Sequence, residues 1–150
     1  MGWERILIIT LVFIPLNVIC QEIPKFANTI IVEGTCFDSL KNSLLDNGYF
    51  IDQQNKDDGT VITKAKGIDK YDMHTLIMYI RIKDSVAKIT GKWNLNVNYN
   101  AQKGGLYSND KTDFMPLEYW KDKHSNPHVI FVVMDNFAKS LHGKISYVKQ

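Results

Sequence analysis

Leu76–Leu95, with the sequence LIMYIRIKDSVAKITGKWNL, decides the fold of this chain. Its two arms, Leu76–Ile82 and Val86–Leu95, are rich in β-branched and aromatic residues, and a short polar segment separates them. This pattern predicts a β-hairpin near the middle of the chain, within an antiparallel meander sheet. Because side chains alternate between the faces of a strand, Arg81 and Lys83 are expected on one side of that sheet.

The sequence before this hairpin predicts a strand, a helix and a second hairpin. Thr29–Val32 is a β-branched run that indicates the strand. Thr35 and Asp38 form a variant of the capping box, and apolar residues recur at helical spacing until Asn47 and Gly48 end the helix. The arms of the second hairpin are Tyr49–Ile51 and Thr60–Thr63, joined by a turn, Asn55–Gly59, that contains an Asp-Gly pair.

The sequence after the central hairpin is less regular. Residues 94–112 are rich in asparagine and are expected to form a long loop, after which Asp113 is expected to cap a short helix containing Leu117, Tyr119 and Trp120. A second long helix is predicted from Asn126 and Pro127 to just before Gly143, followed by a strand at Lys144–Val148. The predicted fold class is therefore α+β: an antiparallel meander sheet of about five strands packed against two main helices, in one domain at 28–150.

The first twenty residues indicate a secretory signal peptide. Arg5 precedes an apolar run, Ile6–Ile19, which Pro15 and Asn17 interrupt and which is shorter than the roughly 20 residues of a spanning helix. Residues 21–27 are then expected to be a linker. The predicted location of the mature protein is outside the cytoplasm, either periplasmic or secreted.

Three interpretations of the leader remain open. Cleavage by signal peptidase would leave Gln21 as the first residue, whereas a lipoprotein would carry its lipid on Cys20. The lipoprotein motif departs from the usual pattern, because Ile19 stands where a small residue is normally found. In the third interpretation the leader stays uncleaved and anchors the chain. Either cleavage leaves Cys36 without a disulfide partner.

The charge of the chain bears on which partners it can bind. The chain has 18 basic and 16 acidic residues, for a formal charge of +2, and its basic residues are scattered along the sequence. This balance favours no particular polyanion and argues against nucleic-acid binding. Membrane contact is expected only through the leader or a lipid on Cys20.

Two segments of the sequence, LKNSLLDNGYFIDQQNKDDGTVITKAKG and LIMYIRIKDSVAKITGKW, resemble a known family. They are similar to the TBP-like domains of unknown function that occur in small secreted proteins and lipoproteins of Gram-negative bacteria. The resemblance covers about Thr29 to Trp93. The matching positions are Gly48, Tyr49, Asp57, Asp58, Gly59 and Gly67. Because these motifs are structural, the resemblance implies a fold and a compartment but no reaction.

The residues that could be catalytic or metal-binding are better explained as structural. His124 and His128 are four residues apart, but Asn126 and Pro127 begin the helix between them, so no metal site is predicted. The acidic turn before Gly59 lacks the spacing of a calcium loop. No cofactor is expected. Cys36 begins a helix, which keeps open the hypothesis of a thiol-dependent enzyme working with His74 or His142.

Aromatic residues in and beside the long loop provide the one positive indication of a binding surface, because loops that carry aromatic residues are often contact sites. We expect a non-catalytic secreted or envelope-associated protein that binds a partner protein or a small ligand through its sheet face and the 94–120 loop. Alternatives are the thiol enzyme and a purely structural periplasmic protein. The candidate binding residues are Arg81, Tyr99, Tyr107, Tyr119 and Trp120.

Overall fold

A computed structural model describes residues 22–68, 74–95 and 113–150. Within these ranges the chain forms eight strands and two helices. In chain order they are β1 (Thr29–Glu33), α1 (Phe37–Asp46), β2 (Ile51–Asn55), β3 (Thr60–Thr63), β4 (Lys66–Gly67), β5 (His74–Lys83), β6 (Val86–Leu95), β7 (Met115–Pro116), α2 (Asn126–Ser140) and β8 (Lys144–Val148). The α+β class is confirmed, although the strands number eight where about five were expected.

One antiparallel sheet contains all the strands, in the order β2-β3-β5-β6-β1-β8. The two-residue strands β4 and β7 pair with β5 and β6 respectively. Strands β5 and β6 pair along their full length, from His74 opposite Leu95 to Lys83 opposite Val86. The predicted central hairpin is therefore confirmed, and the last two strands of the path come from opposite ends of the chain.

The turn of the central hairpin is tighter than expected because Lys83 belongs to β5. Its two residues, Asp84 and Ser85, have φ angles of 51° and 60°. Positive φ at both central positions is typical of a type I′ turn, whose twist matches that of the flanking strands. The Ser85 carbonyl accepts hydrogen bonds from the N–H groups of Gly34 and Thr35, at 2.8 and 3.1 Å. These bonds join the hairpin tip to the connection between β1 and α1.

Helix α1 begins one residue later than the sequence predicts. Its N-cap is Cys36, whose thiol accepts a hydrogen bond from the Ser39 N–H at 3.4 Å. The predicted cap, Thr35, is buried instead, and its hydroxyl oxygen has no hydrogen-bond partner. The end of the helix agrees with the prediction, because Asn47 is the C-cap and Gly48 has a φ of 71°.

Strand β2 lies further along the chain than expected. The Asn55 side chain accepts hydrogen bonds from the N–H groups of Asp57 and Asp58, which tightens the turn before Gly59 and lets the strand run on to Asn55. Tyr49, predicted to start the strand, packs in the core against Phe137, with ring centroids 5.5 Å apart.

The short helix expected after Asp113 does not form. Met115 and Pro116 pair with Trp93 and Lys92 of β6, and the Leu117 N–H donates to the Gly91 carbonyl at 2.9 Å. Pairing with a distant strand thus overrides the local helical pattern. The second long helix and the last strand occur as predicted, at α2 and β8.

Both helices contribute to a single core on one face of the sheet. Helix α1 buries Leu40 and Leu44, and helix α2 packs across β6, β1 and β5. A β-carbon at Gly91 would lie 3.0 Å from both Leu117 and Met134, so α2 approaches β6 closely there. The largest other buried side chains are Phe131, Phe137, Ile30, Leu76, Met78, Ile89 and Ile130. None of the helices in the described ranges is long and apolar enough to cross a membrane.

Candidate binding surfaces

No element among the described residues covers the face of the sheet opposite the helices, and we call it the bare face. Strand β5 shows the division, because Leu76, Met78 and Ile80 are buried in the core while the residues between them point the other way. Pairing register extends this division to the neighbouring strands. The bare face contains Thr75, Ile77, Tyr79, Arg81 and Lys83 of β5, Val86, Lys88, Thr90 and Lys92 of β6, Ile31 and Glu33 of β1, and Lys144 and Ser146 of β8.

Positive charge concentrates at the hairpin end of the bare face. Arg81 lies directly opposite Lys88 in the register, and Lys83 follows on the same side. Together with Asp84 and Val86 these side chains line an open groove of about 380 Å³, which we call the basic groove. Like charges directly opposite each other in a sheet are unfavourable. None of the three cations forms an ion pair within the described part of the chain, and they outnumber the lining acid Asp84, so the groove has a net positive charge.

The centre of the bare face combines an aromatic ring with another cation. The Lys92 ammonium lies 5.3 Å from the centroid of the Tyr79 ring. Tyr79 and Lys92 also line a second open cleft of about 380 Å³, where the start of β1 and the strand β7 leave a gap beside β6. At the far edge, Lys144 of β8 faces Glu33 of β1 at 3.8 Å. The bare face therefore mixes apolar, aromatic and cationic groups.

A second candidate surface lies at the other end of β1, on the side of the sheet that the helices cover. We call Phe26, Tyr119, Trp120 and His128 the aromatic corner. The rings of Phe26 and Trp120 meet edge to face at 6.2 Å. Tyr119 lies 5.2 Å from the His128 ring, and the His128 Nδ1 is 2.6 Å from the Trp120 carbonyl oxygen. Trp120 is 46% exposed, which is unusual for so large an apolar side chain.

The backbone of the aromatic corner is strained at Phe26. This residue has a φ of 65°, a left-handed conformation that bulky residues rarely adopt and that costs about 1–3 kcal/mol. Two hydrogen bonds hold it: the Phe26 N–H donates to the Tyr119 carbonyl at 2.8 Å, and the Tyr119 N–H donates to the Ala27 carbonyl at 2.7 Å. Two cations flank the ring, with the ammonium groups of Lys25 and Lys149 at 4.7 and 5.3 Å from its centroid.

The predicted binding residues that the structure describes lie on two different surfaces. Arg81 lies on the bare face at the hairpin end, whereas Tyr119 packs on Phe131 of α2, which covers the opposite face. Trp120 stays with Tyr119 in the aromatic corner. Tyr99 and Tyr107, and the predicted lipidation site Cys20, lie outside the described residues.

The thiol and the histidines show structural contacts. Cys36 is exposed, and its side-chain hydrogen bond is the helix cap to Ser39. His74 lies beside Trp93, with ring centroids 6.3 Å apart, and His142 has a φ of 55° just after α2. Among the residues that the structure describes, no three His, Cys, Asp or Glu side chains are grouped so as to hold a metal ion.

Comparison with known proteins adds no family assignment. No family model matches the chain, and no curated protein matches it. The two surfaces therefore have to be interpreted from their own chemistry. Sequence reasoning missed the convergence of Lys88 with Arg81, which depends on the register of the hairpin. It also missed Phe26, for which the sequence contained no signal.

Proposed function

We propose that this protein is a non-catalytic binding protein of the cell envelope or the secreted fraction, and that its bare face holds an acidic segment of a partner protein. The observation that carries this proposal is the basic groove, in which Arg81, Lys83 and Lys88 lie side by side, outnumber the lining acid Asp84, and form no ion pair with any described residue. The predicted leader supplies the proposed location outside the cytoplasm.

The composition of the bare face favours a protein partner. Ile77 and Tyr79 are half-buried next to Arg81, and aromatic residues and arginine are enriched in protein interfaces. A uniformly cationic surface would fit a polyanion such as nucleic acid better, but here Tyr79 lies between the basic groove and Lys92, and Ile77 lies beside Lys92. Acidic side chains of a partner would neutralise the groove, and such complementarity raises the association rate and sets the register of the complex.

The contribution of the 94–120 loop is a separate part of the proposal. Tyr119 and Trp120 belong to the aromatic corner on the helix side, so a partner that contacts them and Arg81 together would have to wrap around the edge of the domain. We therefore assign the acidic partner to the bare face alone. The resemblance to TBP-like domains remains a prediction about the fold family and contributes nothing to the choice of partner.

Site-specific photo-crosslinking in the native envelope tests this function. Tyr79 is replaced by a photoreactive phenylalanine analogue, which changes the bare face little. Phe50, which is 68% exposed and does not line the basic groove, receives the same analogue as a matched aromatic control. We expect a discrete adduct from position 79 and none from position 50, and we expect mass spectrometry to identify an acidic segment at the linkage.

A charge-matched pair of variants decides whether the groove is responsible. The variant Arg81→Ser with Lys88→Ser should abolish the adduct and high salt should weaken it, because exposed charge interactions are screened. The control variant Lys56→Ser with Lys64→Ser has the same net charge and removes exposed cations elsewhere, so the adduct should persist. Equal adducts from both double variants, or no adduct from position 79, would contradict the proposed function.

A further inference from the structure

We propose that the aromatic corner, with its flanking lysines Lys25 and Lys149, docks on the surface of an anionic lipid bilayer. This is a contact beyond the leader itself, and it uses a different surface from the one assigned to the acidic partner. The bilayer is the occupant favoured by three observations: the chemistry of the side chains, the rigidity of the backbone, and the position of the corner in the chain.

The side chains have the composition of a membrane interface. Tryptophan and tyrosine are enriched at the level of the lipid headgroups, because each combines an apolar ring with a polar group. Trp120 is 46% exposed, and its ring meets that of Phe26 edge to face. The ammonium groups of Lys25 and Lys149, both within 5.3 Å of the Phe26 centroid, are placed to contact anionic headgroups beside the aromatic rings.

The backbone holds these side chains in a fixed arrangement. The left-handed conformation of Phe26 is maintained by the paired hydrogen bonds of Phe26 and Ala27 with Tyr119. An ion pair between Glu22 and Lys121, at 3.0 Å, holds the start of the described chain beside the segment that carries Trp120. The corner is therefore preorganised, and docking would require little additional ordering of its backbone.

The position of the corner in the chain selects a bilayer over other apolar partners. Only residues 21–25 separate Cys20 from Phe26, and an extended chain spans at most about 3.6 Å per residue. Phe26 therefore lies within about 20 Å of Cys20. If the leader stays in the membrane or Cys20 carries a lipid, the aromatic corner is the part of the domain next to the bilayer. This step depends on the predicted leader, whereas the side-chain and backbone observations do not.

The fluorescence of Trp120 tests the proposal on the full chain. The emission spectrum of the Trp120→Phe variant is subtracted from that of the wild type. The difference contains the emission of Trp120 without that of Trp3 and Trp93. The probe is a vesicle of mixed phosphatidylglycerol and phosphatidylcholine. We expect a blue shift of the Trp120 emission with these vesicles and quenching by lipids brominated on the acyl chain, because the indole would leave water.

Matched lysine variants test the electrostatic part. Each lysine near an anionic surface strengthens partitioning about fivefold, so Lys25→Gln with Lys149→Gln should weaken the response about 25-fold. The control Lys56→Gln with Lys64→Gln should leave it unchanged. Arg81→Ser with Lys88→Ser should also leave it unchanged, which separates this proposal from the function proposed for the bare face.

Three outcomes would overturn the inference. The first is a chain that sediments with the vesicles while the Trp120 emission stays as in buffer, since the leader alone would then hold the protein. The second is an equal blue shift with vesicles of phosphatidylcholine only, which would exclude an anionic surface as the determinant. The third is an unchanged response in the Lys25 and Lys149 double variant.

Discussion

The two faces of the β5–β6 hairpin differ although the same two strands form both. On the covered face Leu76, Met78 and Ile80 are at most 2% exposed and pack beneath the helices. On the bare face Arg81 and Lys88 are exposed, lie opposite each other, and form no ion pair with any residue that the structure describes. Alternate side chains of one strand therefore have different roles. Packing constrains the side chains on the covered face, and those on the bare face remain available for binding.

Charged side chains also differ between the two faces. Asp135 of α2 is the buried acid on the covered side, and its carboxylate accepts a hydrogen bond from the Tyr147 hydroxyl at 2.8 Å and pairs with Lys139 at 2.6 Å. A buried charge without such partners would be costly. The cations of the bare face need no partner within the fold because water solvates them. Their clustering therefore has no stabilising role and is available for a binding role.

Removing a side chain from the covered face should have the largest effect. Leu76→Ala is expected to lower the free energy of unfolding by about 2–5 kcal/mol, because it leaves a cavity in a site that is fully buried. The neighbouring Ile77→Ala, on the half-buried bare face, should cost clearly less. Urea unfolding of both variants measures this. Equal losses would mean that the bare face is packed as tightly as the covered one.

Enlarging a residue on the covered face should also lower stability more than a change on the bare face, by a smaller difference. Gly91→Val is expected to lower the free energy of unfolding by about 1–3 kcal/mol. A β-carbon at this position would lie 3.0 Å from Met134, so the two methyl groups of valine would have no space. Thr90→Val, which points to the bare face, should cost less than about 1 kcal/mol through the loss of its hydrogen bond to the Tyr79 carbonyl. Thermal unfolding provides the comparison, and a neutral Gly91→Val would show that α2 can move away.

A third difference should appear only in alkaline solution. Burial raises the pKa of the Tyr49 hydroxyl above its ordinary value of 10.0. The unfolded chain therefore releases this proton at lower pH than the folded chain, so the stability associated with neutral Tyr49 is complete below pH 10 and is lost as the pH rises through the folded-state pKa. Unfolding of wild type and Tyr49→Phe between pH 9 and 11 should show the steeper loss in the wild type. Parallel curves would contradict it.

The smallest effect is expected at the basic groove. Lys88→Glu places an opposite charge across from Arg81 and should stabilise the fold by about 0.2–1 kcal/mol. The same change should remove the photo-adduct from Tyr79, so that stability and binding move in opposite directions. Adding Arg81→Glu to this variant restores repulsion and should cancel the gain. A loss of stability in Lys88→Glu would show that the groove contributes to the fold.

The sequence predicted the elements that depend on local pattern. The central hairpin, both long helices and the strand at Lys144–Val148 follow from periodicity and turn chemistry within short windows. Met115 and Pro116 were misassigned to a short helix because their pairing partner in β6 lies far away in the chain. The helix cap is Cys36 and not the predicted Thr35, because Thr35 is buried and its N–H donates to Ser85 of the hairpin turn.

The candidate surfaces were less predictable than the elements. Arg81 and Lys83 could be placed on one face from alternation alone, whereas Lys88 joins them only through the register of the hairpin. A formal charge of +2 gave no indication of this clustering, because charge averaged over a chain contains no information about position. Phe26 and Tyr119 come together only through backbone hydrogen bonds between distant segments.

By itself the sequence determined the longer strands, both helices and the two alternating sets of residues along the central hairpin, because these depend on neighbours in the chain. Only the tertiary structure decided that β1 lies between β6 and β8, which face the helices cover, and where Phe26 meets Trp120. Such contacts depend on closing long loops and on burying apolar surface from distant segments, and both are properties of the whole fold.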